Sequence, residues 1–137
     1  MVYRAIDVLA AQGLVEKQGS EESAQGPSRT MLAATATGRR ALGRWLSTPV
    51  KHPRDVRSEL MLKLLLHHRL DRDPAKLVEA QRTAFEPLRE SLESKLERSE
   101  AFDRTLTLWR YSNVRSAQRF LEELETGRDA RAPGVGS

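Results

Sequence analysis

Apolar residues recur at helical spacing through most of the chain, and the interruptions between those runs mark out its elements. Val2, Ile6 and Leu9 fall at i, i+4 and i+7, one face of a short helix over 2–12 that leaves Tyr3, Arg4, Asp7 and Gln12 on its other sides. Gly13 ends that helix, because glycine takes the left-handed conformation beyond a helix C-terminus without steric cost. Leu14-Val15 opens an extended run to about Gln18, and residues 29–34 (RTMLAA) read as a returning strand. Between them, residues 19–28 (GSEESAQGPS) are small, polar and turn-prone. The pattern predicts a β-hairpin over 14–34 whose tip is longer than a tight turn needs, and so projects.

Thr35 is placed to cap a helix over 36–47 with Ala41, Leu42, Trp45 and Leu46 on its apolar side. Pro49 and Pro53 punctuate the linker TPVKHPRD. Val56, Leu60, Met61, Leu64 and Leu65 then predict a helix that is apolar over most of its circumference and buried between others. Asp73-Pro74 is a good helix start, and Leu77, Phe85, Leu88, Leu92 and Leu96 carry the next helix to about Ser99. Pro87 inside it removes a backbone donor and predicts a kink near 83–86. Asp103 is expected to cap a last long helix bearing Leu106, Trp109, Ala117, Phe120, Leu121 and Leu124. The tail from Gly127 (GRDARAPGVGS) is expected to be disordered. The fold class expected is mainly α with a small β-hairpin, divided into residues 1–48, 49–126 and the tail 127–137.

Composition narrows the chemistry. Hydrophobic residues make up 39% and charged residues 31%, too charged for one large core, and aromatics only 5%, so the core rests on Leu, Val and Ala. The absence of cysteine excludes disulfides, thiolate zinc sites and a cysteine nucleophile. No apolar run approaches the roughly 20 residues of a membrane span, and MVYRAIDVLA does not read as a secretion signal, so the expected setting is the cytoplasm, without a membrane partner. Glycine-rich phosphate loops, metal-ligand clusters and a supported Ser/His/Asp order are missing, which predicts a non-enzyme without a cofactor. His67 and His68 point about 100° apart on a helix and cannot chelate one ion well. The net charge of +4 permits a nucleic-acid partner, but basic residues are spread along the chain among acids, so charge alone does not select one.

Order does more. A helix, a glycine stop, a strand, a polar tip, a strand and a second helix form the latter half of a winged helix-turn-helix. A helix fits the major groove, where Tyr3 and Arg4 at its leading end would meet base edges. The wing would lay Lys17, Ser28 and Arg29 against phosphates or the minor groove. Arg39, Arg40 and Arg44 form a basic face on the next helix that reads first as solvated. The segments VYRAIDVLAAQGLVEKQ, GPSRTMLAATATGRRALGRWL and TPVKHPRDVRSELMLKLLL resemble the PadR family of transcriptional regulators, in its longer, virulence-regulator-like form. The first carries an aromatic-Arg-Ala pair, spaced aliphatics and Gly-Leu-Val; the second carries Gly-Pro and a basic residue before the return strand; the third carries Arg57-Ser58-Glu59-Leu60. The resemblance spans roughly residues 2–125. It implies a DNA-binding homodimer held by C-terminal helices that reach across to the partner, usually a repressor, and in some members a small aromatic ligand that releases the operator.

Two further expectations follow. The family's winged helix has two helices ahead of the recognition helix, and this sequence opens with Met1 directly before Val2-Tyr3. Residues 1–48 therefore read as a partial winged helix. Each uncovered Val or Ile forfeits ~1.5–3 kcal/mol, so weak operator binding is expected, with a helical dimerisation or interaction module that does not itself bind DNA as the alternative. The leucine stripes at 77–96 and 106–124 exceed the needs of a small domain, which places Leu88, Leu92, Leu106, Trp109, Phe120, Leu121 and Leu124 at a two-fold dimer interface, with an intrachain bundle as the competing arrangement. Trp45 and Trp109 could line an aromatic ligand pocket, but core packing is the favoured reading.

Overall fold

The structure is a computed structural model that describes residues 7–8, 10–21 and 29–131, with side chains described at 7–8, 10–16 and 32–127. The protein is mainly helical, with one two-stranded antiparallel hairpin. It forms two compact units, Met1–Trp45 and Leu46–Ser137. The division falls inside the last turn of the helix over 36–47 rather than in the proline-containing linker.

In the first unit, helical turns end just before Gly13, and strand β1 (Val15–Glu21) pairs with β2 (Arg29–Ala34) before helix α1 (Ala36–Ser47). Register runs from Val15 opposite Ala34 to Lys17 opposite Leu32, then resumes at Gly19 opposite Met31. Gln18 is thus the extra residue of a bulge, which adds local twist to the hairpin. β1 reaches Glu21, beyond the end expected at Gln18.

The second unit begins with a 3₁₀ turn (Pro53–Val56), where proline fixes the first residue, and continues through α2 (Glu59–Arg69), α3 (Ala75–Arg98) and α4 (Ala101–Arg131). α2 ends in a Schellman arrangement. Asp71 takes the left-handed conformation (φ 56°), its N–H donates to the His68 carbonyl (3.2 Å), and the Arg72 N–H donates to the His67 carbonyl (2.8 Å). An aspartate tolerates this position, usually glycine's, better than most residues. At the start of α3 the Asp73 carboxylate accepts the Ala75 N–H at 3.1 Å, and the helix runs unbroken through Pro87.

α3 and α4 pack antiparallel, as their cross-links show. Arg82 pairs with Glu125 (2.9 Å), and Gln118 donates to Glu86 (2.8 Å). Leu77, Val78, Phe85 and Leu92 of α3 and Val114, Ala117 and Leu121 of α4 form the buried core, joined by Leu60 of α2 and by Val50. Fully burying such side chains is worth ~1.5–3 kcal/mol each, which makes this seam the principal apolar contribution to the unit. Arg89 bridges Glu86 (2.6 Å) and Glu93 (2.5 Å) at the edge of the seam. Its hydrogen bond, then that of Gln118, holds the Glu86 carboxyl below the ordinary carboxylate range.

Four sequence expectations change. α2 is not buried all round: Leu60, Lys63 and His67 face inwards, while Met61, Leu62 and Leu65 are close to half exposed. α4 starts at Ala101, so Asp103 lies in its first turn and is not its cap. α4 also continues through Gly127 to Arg131, where a disordered tail was expected; residues 132–137 lie outside the described residues. Trp109 is exposed and does not pack in the core. Among the described residues no helix is long and apolar enough to cross a membrane.

Polar groups fix the segment that follows α1. The buried Gln81 amide donates to the Val50 carbonyl (2.8 Å) and accepts the Val50 N–H (2.7 Å), satisfying both backbone groups of a core residue. The buried Lys63 ammonium donates to the Thr48 carbonyl. Burial pushes that ammonium below the usual lysine range, opposed by the Glu59 carboxylate at 4.0 Å. Replacing Gln81→Leu strands the Val50 N–H and carbonyl in the core. Urea unfolding should show a loss of about 2–4 kcal/mol, at ~1–3 kcal/mol for each unsatisfied group.

Candidate nucleic-acid interface

The first unit is organised around one hydroxyl. Gly13, at φ 71°, closes the preceding helical turns, with its N–H on the Ala10 carbonyl (3.1 Å) and the Gln12 N–H on the Val8 carbonyl (3.0 Å). The Thr35 hydroxyl donates to the Gly13 carbonyl at 2.6 Å and accepts the Gly38 N–H at 3.0 Å. It therefore caps α1 at the third helical position, as expected for Thr35, and also ties α1 to the end of the preceding helix. The Thr35 N–H adds a bond to the Leu14 carbonyl at 3.0 Å.

Gly38 lets these elements meet. A Cβ there would overlap the Leu14 carbonyl oxygen and stand 2.8 Å from its carbon. Both atoms are backbone and cannot swing aside, so only glycine fits.

The expected DNA-contact residues divide. Tyr3, Arg4 and Ser28 lie outside the described residues, as do Val2, Ile6 and Leu9. Lys17 pairs with Leu32 just before the bulge, and Arg29 pairs with Glu21 at the distal end of the hairpin. Those two positions are roughly 13 Å apart along the strands.

On the basic face of α1, which the sequence presents first as solvated, the three arginines differ in what they touch. Arg39 is engaged structurally, donating to the Ala34 carbonyl at the end of β2 (2.8 Å). Arg40 makes only a 3.4 Å contact to the Thr37 hydroxyl, and Arg40 and Arg44 are both exposed one turn apart. α1 contains no acidic residue. From Arg29 to Arg54 the chain carries Arg29, Arg39, Arg40, Arg44, Lys51 and Arg54 without one Asp or Glu. A tally over the whole chain hides this run, because acids elsewhere nearly balance it. The run is a local gap in acids along the sequence.

The residues expected at a dimer interface also divide. Leu92 and Leu121 are buried within the chain, and Leu88, Phe120 and Leu124 are half-buried against the same core. Leu106 (43%) and Trp109 (67%) remain exposed. Phe102, 70% exposed, was missed by the sequence reading, although it lies one turn before Leu106 at i−4. Phe102, Leu106 and Trp109 form an apolar stripe on the first turns of α4. Trp45 is half-buried in the first unit.

The His67 Nδ1 donates to the Lys63 carbonyl of its own helix (2.7 Å), whereas His68 is exposed. Among the described residues no group of three His, Cys, Asp or Glu side chains could hold a metal ion. The chain matches no known family's sequence pattern and no curated protein.

The close approach at Gly38 gives a direct test. In Gly38→Ala, amide hydrogen exchange should accelerate across 13–16 and 32–40 by the equivalent of about 1–3 kcal/mol, the usual cost of overpacking, while 77–92 and 114–121 keep their protection. Unchanged exchange in the first unit would contradict the steric argument.

Proposed function

We propose that this chain is a double-stranded-DNA-binding transcriptional regulator of the PadR type, in which the first unit meets the duplex and the helical unit pairs two copies. The observation that carries the reading is the Thr35 hydroxyl. It joins a glycine-terminated helix and a β-hairpin to a helix whose exposed charge is entirely basic. A hairpin carrying Lys17 and Arg29 suits backbone contact, and Arg40 and Arg44 supply phosphate contacts that position without specifying sequence. On this reading Tyr3 and Arg4 read base edges in the major groove. Repression follows from occupying the operator.

Pairing of copies rests on the stripe Phe102, Leu106 and Trp109, whose exposed apolar surface suits the same stripe on a second copy. A two-fold pair then matches two operator half-sites. The same stripe favours a second reading, a helical pairing module without operator binding of its own.

Fluorescence anisotropy with a short mixed-sequence duplex separates the two. The regulator reading expects affinity to fall steeply with salt, by about 0.9 in log–log slope per phosphate contact, and expects Arg40→Gln with Arg44→Gln to make that slope shallower by about 1–2. Absence of salt-dependent binding, with a dimer in sedimentation that Trp109→Glu dissociates, would leave the second reading standing. A monomer at all concentrations would overturn the pairing in both.

A further inference from the structure

Two neighbouring hollows in the second unit lie along one flank of α4. One, of about 600 Å³ and open to solvent, is lined by the 3₁₀ turn, the start of α2 and the α4 residues Ala117 and Phe120. The other, of about 370 Å³, extends towards Leu88 and Leu92 of α3. Both volumes fall in the range of small-molecule sites. The hollows share Pro53, Arg54 and Asn113 and so form one trough. It follows α4 from Arg110 to Phe120, roughly 15 Å at the rise of an α-helix.

The trough pairs two kinds of surface. Its apolar lining is aliphatic apart from Phe120, and includes Val56, Met61 and Val114. Its charged lining is three arginines, Arg54, Arg57 and Arg110, and no acidic residue lines either hollow. Among the described residues none of the three has a carboxylate within ion-pair distance. That includes Asp55, the neighbour of Arg54 in the same turn. Elsewhere in the unit Arg82, Arg89 and Arg119 are each paired with a glutamate.

Guanidinium groups match carboxylates with paired hydrogen bonds, and an extended aliphatic floor accepts a chain more readily than a flat ring. We propose that the trough binds a free aliphatic carboxylate of medium to long chain, with the chain along α4 and the headgroup on Arg54, which lines both hollows and is flanked by Arg57 in one and Arg110 in the other. The site lies wholly within the second unit and stands independently of DNA binding.

Dodecanoate below its micelle concentration is the probe, titrated calorimetrically into the full chain, with dodecanol as the neutral comparison. Saturable binding at one site per chain is expected, with dodecanol about tenfold weaker or worse. Arg54→Gln with Arg110→Gln should lower dodecanoate affinity by about tenfold or more while leaving the melting temperature unchanged, because both side chains are exposed. Arg57→Gln alone should give a smaller loss in the same direction. Failure to saturate, equal affinity for dodecanol, or full affinity in the double variant would each overturn the proposal. So would flotation with phosphatidylglycerol vesicles in place of dodecanoate binding, which would mark the arginines as a membrane-surface patch.

Discussion

Everything the first unit presents depends on one close approach, the first turn of α1 against the backbone at Gly13-Leu14. Three hydrogen bonds converge there, from the Thr35 hydroxyl to the Gly13 carbonyl, from Gly38 to that hydroxyl, and from the Thr35 N–H to the Leu14 carbonyl. Each answers a specific need. The end of a helix leaves carbonyls without partners, the start of the next leaves N–H groups without partners, and one hydroxyl satisfies one of each. Gly13 supplies the left-handed turn and Gly38 the absent Cβ. With this contact made, the hairpin is anchored at the root of both strands, and Arg39 reinforces it through the Ala34 carbonyl. Arg40 and Arg44 of α1 are exposed.

The second unit meets a different constraint, that of burying two long amphipathic helices with few aromatic residues. It does so chiefly by turning α3 and α4 against one another through the two-residue connection Ser99-Glu100. Much of the leucine content is consumed there. Polar groups then fix what apolar packing leaves loose: Gln81 holds both backbone groups of Val50, Lys63 holds the Thr48 carbonyl, and Glu86 joins Arg89 to Gln118. What the core does not absorb is informative by subtraction. An apolar stripe stays exposed at the start of α4, and three arginines that have no carboxylate partner among the described residues stay beside an aliphatic trough farther along it.

Much of this was legible in the sequence, and the failures share a cause. Spacing and capping residues placed the Thr35 cap and α1 almost to the residue, and the hairpin with its first strand three residues short, because those signals are local. The start of α3 was legible to within one residue: Pro74 is the N-cap where Asp73 was expected, and the Asp73 carboxylate still accepts the Ala75 N–H. The starts and surroundings of the other helices were not. Ala101 opens α4 in a left-handed conformation (φ 52°) that favours glycine, and nothing in its side chain announces this, so Asp103 took the role by default. Periodicity showed that Leu88, Leu92, Leu121 and Leu124 must be covered, but it cannot say by which chain, and the structure spends them largely on one another. The same blindness hid the exposed side of α2, where a strongly apolar helix still buries only one face. For the candidate site, residue type suggested Tyr3, Arg4, Lys17, Ser28 and Arg29 and marked the basic face of α1, and the acid-free run from Arg29 to Arg54 is visible only when charge is read along the chain rather than summed.

The central claim is that the first unit, through its hairpin and α1, is the part of the molecule that meets DNA. Hydrogen exchange of the full chain at low salt, with and without a saturating mixed-sequence duplex, tests this most directly. The account predicts added protection over residues 14–21 and 29–44 and none across the buried seam of α3 and α4. Unchanged exchange throughout the first unit, or protection confined to α3 and α4, would contradict it.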